Sequence, residues 1–294
     1  MSDSLLVTEN LSKKYGNTLA NDRIAVEIPK GKIVGFVGEN GSGKTTFLRM
    51  ITGLIRPTSG RFEFRTEDGA CRVGAIVESP AFFPNMSAYD NLAFQARLCG
   101  TPKSKIPEIL SRVGLESAGK KKAKHFSLGM KQRLGIAVAL VSEPEFLILD
   151  EPTNGLDPQG IIELRKLLKA LCSDGKMTLL ISSHNLGELS QLADTYLFLH
   201  KGRIIESASA SELLAHASKE LRFRSETDAS PAVEEILKNG YAERAVRDNG
   251  TYILYAPNRY PDLLKILSSL PVTDIETREE SLETHYIRLM EENS

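Results

Sequence analysis

The run Ile33-Val34-Gly35-Phe36-Val37, followed directly by Gly38-Glu39-Asn40-Gly41-Ser42-Gly43-Lys44-Thr45, constrains this chain more than any other stretch of its 294 residues. The first part is almost unbroken in apolar side chains, which predicts a strand covered on both faces, as in a parallel sheet. The glycines let successive backbone N–H groups turn inward, and the run from Thr45 to Leu54 predicts a helix that starts where the loop ends. Strand, glycine-rich loop and helix N-terminus in that order form a nest for phosphate groups, the P-loop arrangement. Gly38, Glu39, Asn40, Gly41, Ser42, Gly43, Lys44, Thr45 and Thr46 are therefore the candidate nucleotide-binding set, with Lys44 placed to reach β and γ phosphates and the Thr45 hydroxyl to ligate Mg²⁺. Without its flanking strand and helix the same run would read only as a turn.

A second apolar strand, Phe146 to Leu149, ends in Asp150-Glu151. Two carboxylates at the carboxyl end of a buried strand suit a division of labour beside a phosphate nest. Asp150 holds Mg²⁺, and Glu151 orients or deprotonates water.

Composition excludes several classes. Hydrophobic residues make up 41% of the chain, enough for a real core, so wholesale disorder is ruled out. The 37 basic residues offset 38 acidic ones to a formal charge of -1, so no broad positive field invites nucleic acid, and none is expected as a partner. The longest apolar runs fall far short of the ~20 residues that span a bilayer, and the first residues carry no signal-peptide core. The expectation is a cytosolic chain that forms no channel itself. Cys71, Cys99 and Cys172 are scattered and predict neither a disulfide framework nor a zinc site.

The order of elements predicts two domains. Ile24, Val26 and Ile28, and later Phe62 and Phe64, alternate with polar neighbours as in a half-exposed antiparallel sheet. Residues from about Ala88 to Val141 carry helical spacing with breaks at Gly100 to Pro102 and at Gly114, so a helical insert interrupts the sheet. Helix (Ile161 to Leu171), strand (Thr178 to Ser182), helix (Leu186 to Asp194) and a hairpin across Lys201-Gly202 follow. The Ser/Ala-rich stretch 207–218, with a short helix from Ser211 to His216, reads as a linker. Beyond it come strand, helix, two strands about an Asp248-Asn249-Gly250 turn, helix, strand and a last helix from Ser281. Two βαβ units fused this way predict a ferredoxin-like accessory domain over 219–294.

With these parts in place, the chain resembles the ATP-binding subunits of ABC transporters. Phe126-Ser127-Leu128-Gly129-Met130 with Lys131-Gln132-Arg133 matches the family signature, Asn154-Gly155-Leu156-Asp157 its D-loop, and His184 after Ser182-Ser183 its switch histidine. Tyr15 sits where the family stacks an aromatic ring on adenine. The resemblance spans about residues 4 to 206. It implies a P-loop NTPase core with an antiparallel β subdomain and a helical subdomain at about 84–141, together a nucleotide-binding domain at 1–206. It also implies ATP and Mg²⁺ as cofactors, and a site split between two chains, in which Ser127, Gly129 and Asp157 of one face the nucleotide on the P-loop of the other. Glu151 and His184 become catalytic candidates, and the partners implied are a second ATP-binding subunit and separate polytopic membrane subunits at the cytoplasmic face of the membrane.

Two departures narrow the resemblance. Where the family usually places Gln, after the strand Val73 to Val77, this chain has Glu78, a candidate for both metal binding and catalysis because a carboxylate also ligates a hard cation. Leu128 replaces the usual first Gly of the signature but leaves Ser127 and Gly129. The glutamate loop and this signature resemble the ATPases of lantibiotic self-protection and bacitracin-resistance transporters, which implies export of a peptide antibiotic. Alternatives at this stage are an exporter of another lipid or drug, a non-transport ABC ATPase acting on ribosomes or DNA, and a regulatory module with inactive motifs.

Overall fold

The computed structural model describes residues 4–66, 71–215, 219–255, 257, 259–279 and 282–292. The chain forms two compact units that part between Ala210 and Ser211. The first opens with β1 (Ser4–Tyr15), β2 (Thr18–Ile24) and β3 (Glu27–Pro29), which with a later strand make a small antiparallel sheet. Ile24, Val26 and Ile28 are all buried beneath it, on the face that their alternation predicted.

β4 (Ile33–Val37) is buried at every position and feeds the glycine loop and α1 (Lys44–Ile51). The helix is shorter than the sequence run to Leu54 suggests. Gly53 turns the chain at φ 75°, and the Thr52 hydroxyl bonds back to the Leu48 carbonyl at 2.7 Å. β5 (Ser59–Phe64) then pairs with β1, and β6 (Val73–Ile76) enters the large sheet.

The helical insert is α2 (Ala88–Cys99), α3 (Ile106–Arg112) and α4 (Leu128–Leu140). Ser87 and Asp90 close a capping box on α2, and Gly100, at φ 72°, ends it in the left-handed backbone that glycine adopts at least cost. α4 starts earlier than its apolar run, because the Ser127 side chain accepts a hydrogen bond from the Met130 N–H and caps it.

β7 (Phe146–Asp150), α5 (Pro158–Cys172), β8 (Thr178–Ser183), α6 (Leu186–Leu189), β9 (Thr195–His200) and β10 (Arg203–Ser209) complete the first unit. The six-stranded sheet has the order β10-β9-β4-β8-β7-β6, and only the β9–β10 pair is antiparallel. β7 and β8 are buried throughout, as both-face coverage requires. α6 is one turn long rather than running to Asp194. The Asp194 carboxylate is taken by the Ile33 N–H at 2.8 Å, which pins the end of this segment to the start of β4. The core gathers Phe36, Phe47, Phe146, Leu180 and Leu197 between the two sheets and α1.

Part of the expected linker 207–218 is ordered: the end of β10 and α7 (Ala210–Ala215) occupy it, while 216–218, including His216, lie outside the described residues. The second unit has β11 (Lys219–Ser225), α8 (Ser230–Lys238), β12 (Arg244–Asp248), β13 (Thr251–Tyr255), α9 (Tyr260–Ser268) and β14 (Val272–Glu279), then α10 (Leu282–Glu292). Ser281, the expected start of the last helix, is outside the described residues. Its sheet order is β12-β13-β11-β14, antiparallel at each step. Leu221, Phe223, Tyr252 and Leu254 face Val233, Ile236, Leu263 and Leu267 of α8 and α9 in a core of its own.

Among the described residues no helix is long and apolar enough to cross a membrane. The first unit's core makes a quantitative expectation. Phe146 is fully buried with its ring 6.1 Å from that of Phe64, so Phe146→Ala should cost about 3–5 kcal/mol. Urea unfolding of the full chain is the measurement, and an unshifted midpoint would remove that ring from the core.

Candidate functional site

The glycine loop has the geometry that its sequence demands. Gly41 and Gly43 have φ 83° and 109°, and a Cβ on Gly43 would stand 2.3 Å from the Ala20 carbonyl oxygen, so no other residue fits there. The loop is braced from behind. The fully buried Asn21 donates its side-chain amide to the Gly43 carbonyl at 3.2 Å, and the Gly202 N–H of the β9–β10 turn bonds the Ser42 carbonyl at 2.9 Å. Ser42 itself is buried with a hydroxyl that has no hydrogen-bond partner. An orphaned hydroxyl in a glycine loop at a helix N-terminus fits a phosphate oxygen.

Lys44 is only 6% exposed and bonds the Gly38 and Glu39 carbonyls at 2.6 and 3.1 Å. The Glu151 carboxylate stands 3.3 Å from the same amine, close enough for charge attraction although without hydrogen-bond geometry. Glu151 also meets His184 Nδ1 through its other oxygen at 2.8 Å. Glu151 follows β7 in left-handed backbone, φ 48°, which turns its side chain away from the strand line. Asp150, buried at the end of β7, accepts from the Thr45 hydroxyl at 2.8 Å and from the Ser182 hydroxyl at 2.6 Å. Two hard oxygens, one hydroxyl and one carboxylate, in mutual contact beside a phosphate nest fit Mg²⁺, which keeps much of its shell as water and phosphate.

Lys44, Thr45, Asp150, Glu151 and His184 are thus brought together as the sequence predicts. Ser127, Gly129 and Asp157 are elsewhere: they line a groove of about 480 Å³ with Leu128, Arg133 and Glu163 that contains no P-loop residue. Asp157 caps α5 by accepting from the Gly160 N–H at 2.9 Å. Tyr15, at the end of β1, is exposed, with the Lys13 amine 5.2 Å above its ring. Glu78 is turned to the Arg49 guanidinium at 2.6 Å. Three contributors escaped the sequence reading: Asn21, Arg49 and Ser182. Ser182 was visible only as a neighbour of His184, yet its hydroxyl also accepts the Glu151 N–H at 2.9 Å and so joins both carboxylate residues. Nothing in the local pattern marks Asn21.

The sequence profile of the ABC transporter family matches residues 21–154. The bacitracin transport ATP-binding protein BcrA of Bacillus licheniformis is 39% identical over 98% of this chain and 97% of its own length. The chain belongs to the ABC transporter ATP-binding proteins. The lantibiotic transport ATP-binding protein SrtF of Streptococcus pyogenes is 45% identical over 68% of this chain and 89% of its own. Among solved structures, cbiO1 of Clostridium perfringens, part of the ABC transporter complex cbiONQ, aligns with a TM-score of 0.66 at 28% identity, covering 80% of this chain and 95% of that one. The ADP conformation of MJ1267, an ATP-binding cassette, shares the fold with a TM-score of 0.64 at 24% identity, over 71% of this chain and 93% of that one. This ABC subunit binds ATP, hydrolyses it in a reaction coupled to transport, and works with the transporter's membrane subunits.

A phosphate at the Lys44 amine would compete with Glu151 for it. Glu151→Gln should therefore bind ATP about three- to tenfold tighter, whereas Lys44→Ala should lose about a hundredfold or more, the worth of two charge-assisted bonds. Calorimetric titration of both variants decides it, and an unchanged affinity for Glu151→Gln would show that the contact does not compete.

Proposed function

We propose that the subunit works as a head-to-tail pair of ATP-binding chains that hydrolyses Mg²⁺-ATP at two shared sites and drives membrane subunits exporting a peptide antibiotic of the bacitracin or lantibiotic type. The observation that carries the paired site is the separation of functional groups within one chain: the P-loop cluster and the groove of Ser127, Gly129 and Asp157 share no residue. The α4 N-terminus, capped by Ser127, presents free N–H groups suited to the γ-phosphate on a second chain. The cargo reading rests on the names of the relatives, bacitracin transport for BcrA and lantibiotic transport for SrtF, together with Glu78 in place of glutamine.

In this reading Lys44 and the loop N–H groups hold β and γ phosphates, and Thr46 ends the phosphate-binding run. Thr45 and Asp150, with Glu78, would hold Mg²⁺, which neutralises phosphate charge when bound. Glu151 takes a proton from, or aligns, the attacking water, and His184 holds the Glu151 carboxylate through Nδ1 while its other ring nitrogen is free for the γ-phosphate. Tyr15 stacks on adenine.

The chain sits peripherally at the cytoplasmic face, with residues 1–206 as the nucleotide-binding domain, 207–218 as linker and 219–294 as an accessory domain. The β-α-β-β-α-β order of the second unit and its alternating antiparallel sheet support a ferredoxin-like reading. Exposed Phe83 and Phe94, edge to face at 4.8 Å, with exposed Leu98, give the helical subdomain an apolar surface suited to a membrane subunit.

Two experiments test the proposal. Mixed chains carrying Lys44→Ala and Ser127→Ala should restore part of the ATPase activity that each lacks alone, because one site per heterodimer is complete; proven heterodimers that stay inactive would mean that each chain finishes its own site. In cells also expressing the membrane subunits, Glu151→Gln should lower ATP turnover by about a hundredfold or more and abolish protection against bacitracin or a lantibiotic. Resistance that persists without turnover would refute the cargo assignment.

A further inference from the structure

Arg49 lies one helical turn beyond Thr45 on α1, so its side chain leaves from the face that carries the Thr45 hydroxyl. Its partner Glu78 closes the loop after β6 with φ 69°, a left-handed backbone that strains any residue bearing a Cβ, and its side chain is 61% exposed. Glu78 Oε1 is 2.6 Å from the Arg49 guanidinium. Glu78 is the chief cause that holds Arg49 charged above its usual range. The loop is gripped from its other side as well. Gly135 of α4 lies so close that a Cβ there would be 2.5 Å from Pro80 Cβ.

We propose that Arg49 is a positioning residue that parks the Glu78 carboxylate away from the Thr45–Asp150 pair, so that seating a nucleotide and releasing Glu78 are one event. The inference rests on the role of Glu78 proposed above. A solvent-exposed carboxylate in strained backbone has no local reason to keep one place, and the ion pair supplies one. An amide at position 78 would lack the charge by which Arg49 holds it, so a glutamate here makes the loop's release depend on an incoming cation that competes for Glu78. The link continues to α4 through Pro80 and Gly135, and α4 carries Ser127 at its start.

The test is a double-mutant cycle on the full chain: ATP affinity by titration with a fluorescent ATP analogue in EDTA, for wild type, R49Q, E78Q and R49Q/E78Q. Without metal, R49Q leaves Glu78 unneutralised beside the phosphates, and affinity should fall about two- to fivefold, the scale of a partly exposed ion pair. In the E78Q background the same change should have little effect, and R49K should restore most of the loss. With Mg²⁺ present, R49Q should reach half-maximal ATPase at a lower Mg²⁺ concentration. Equal effects of R49Q in both backgrounds, or none in either, overturn the inference. If R49Q loses its circular-dichroism spectrum, R49M takes its place in the same cycle with the same criteria. ATP binding without this coupling refutes the Arg49 role alone, whereas a wild-type chain that binds no ATP refutes the site reading and this inference together.

Discussion

One buried carboxylate holds the site in register. Asp150 ends β7 and accepts hydroxyls from Thr45 at the start of α1 and from Ser182 at the end of β8. Three elements distant in sequence are stitched at their functional ends by two short bonds to one charge, and such bonds to an ionised acceptor are roughly twice as strong as neutral ones. Because Ser182 also takes the Glu151 N–H, the same stitch fixes the backbone of the candidate base. Remove the charge and the hydroxyls of Thr45 and Ser182 lose their common acceptor, so the glycine loop, the candidate metal ligands and the candidate base would no longer share one frame.

The charged groups of the site occupy one another. Lys44 is taken by two carbonyls and the Glu151 carboxylate, Glu151 by Lys44 and His184, and Glu78 by Arg49. Buried charge is tolerable only when paired, and Lys44 and Glu151 supply that pairing to each other. Ser42 differs: among the described residues its buried hydroxyl has no hydrogen-bond partner.

Much of this was legible in the sequence, because the site is built where period and punctuation are strongest. The apolar runs Ile33 to Val37 and Phe146 to Leu149 gave the two strand ends, and the glycines gave the loop, since Gly43 at φ 109° admits nothing else. The breaks at Gly100 and Gly114 divided the helical insert correctly. Lengths were less legible. α1 and α6 stop early because of Gly53 and because the Ile33 N–H captures Asp194, and the second of these is a tertiary bond that no local window contains. Asn21 and Arg49 were invisible for the same reason. Each acts through a partner brought near only by folding, Gly43 for the first and Glu78 for the second.

The brace behind the glycine loop has a consequence for how the protein is made. The Ser42 carbonyl is bonded by the N–H of Gly202, and a Cβ on Gly38 would stand 2.8 Å from the Leu199 carbonyl, so the back wall of the loop comes from the β9–β10 hairpin. Positions 42 and 202 are 202 − 42 = 160 residues apart. A nascent chain emerging from the ribosome therefore carries its loop residues long before their support exists, and contacts so distant in sequence close late and slowly. The brace of the loop can form only once nearly all of the first unit has been translated.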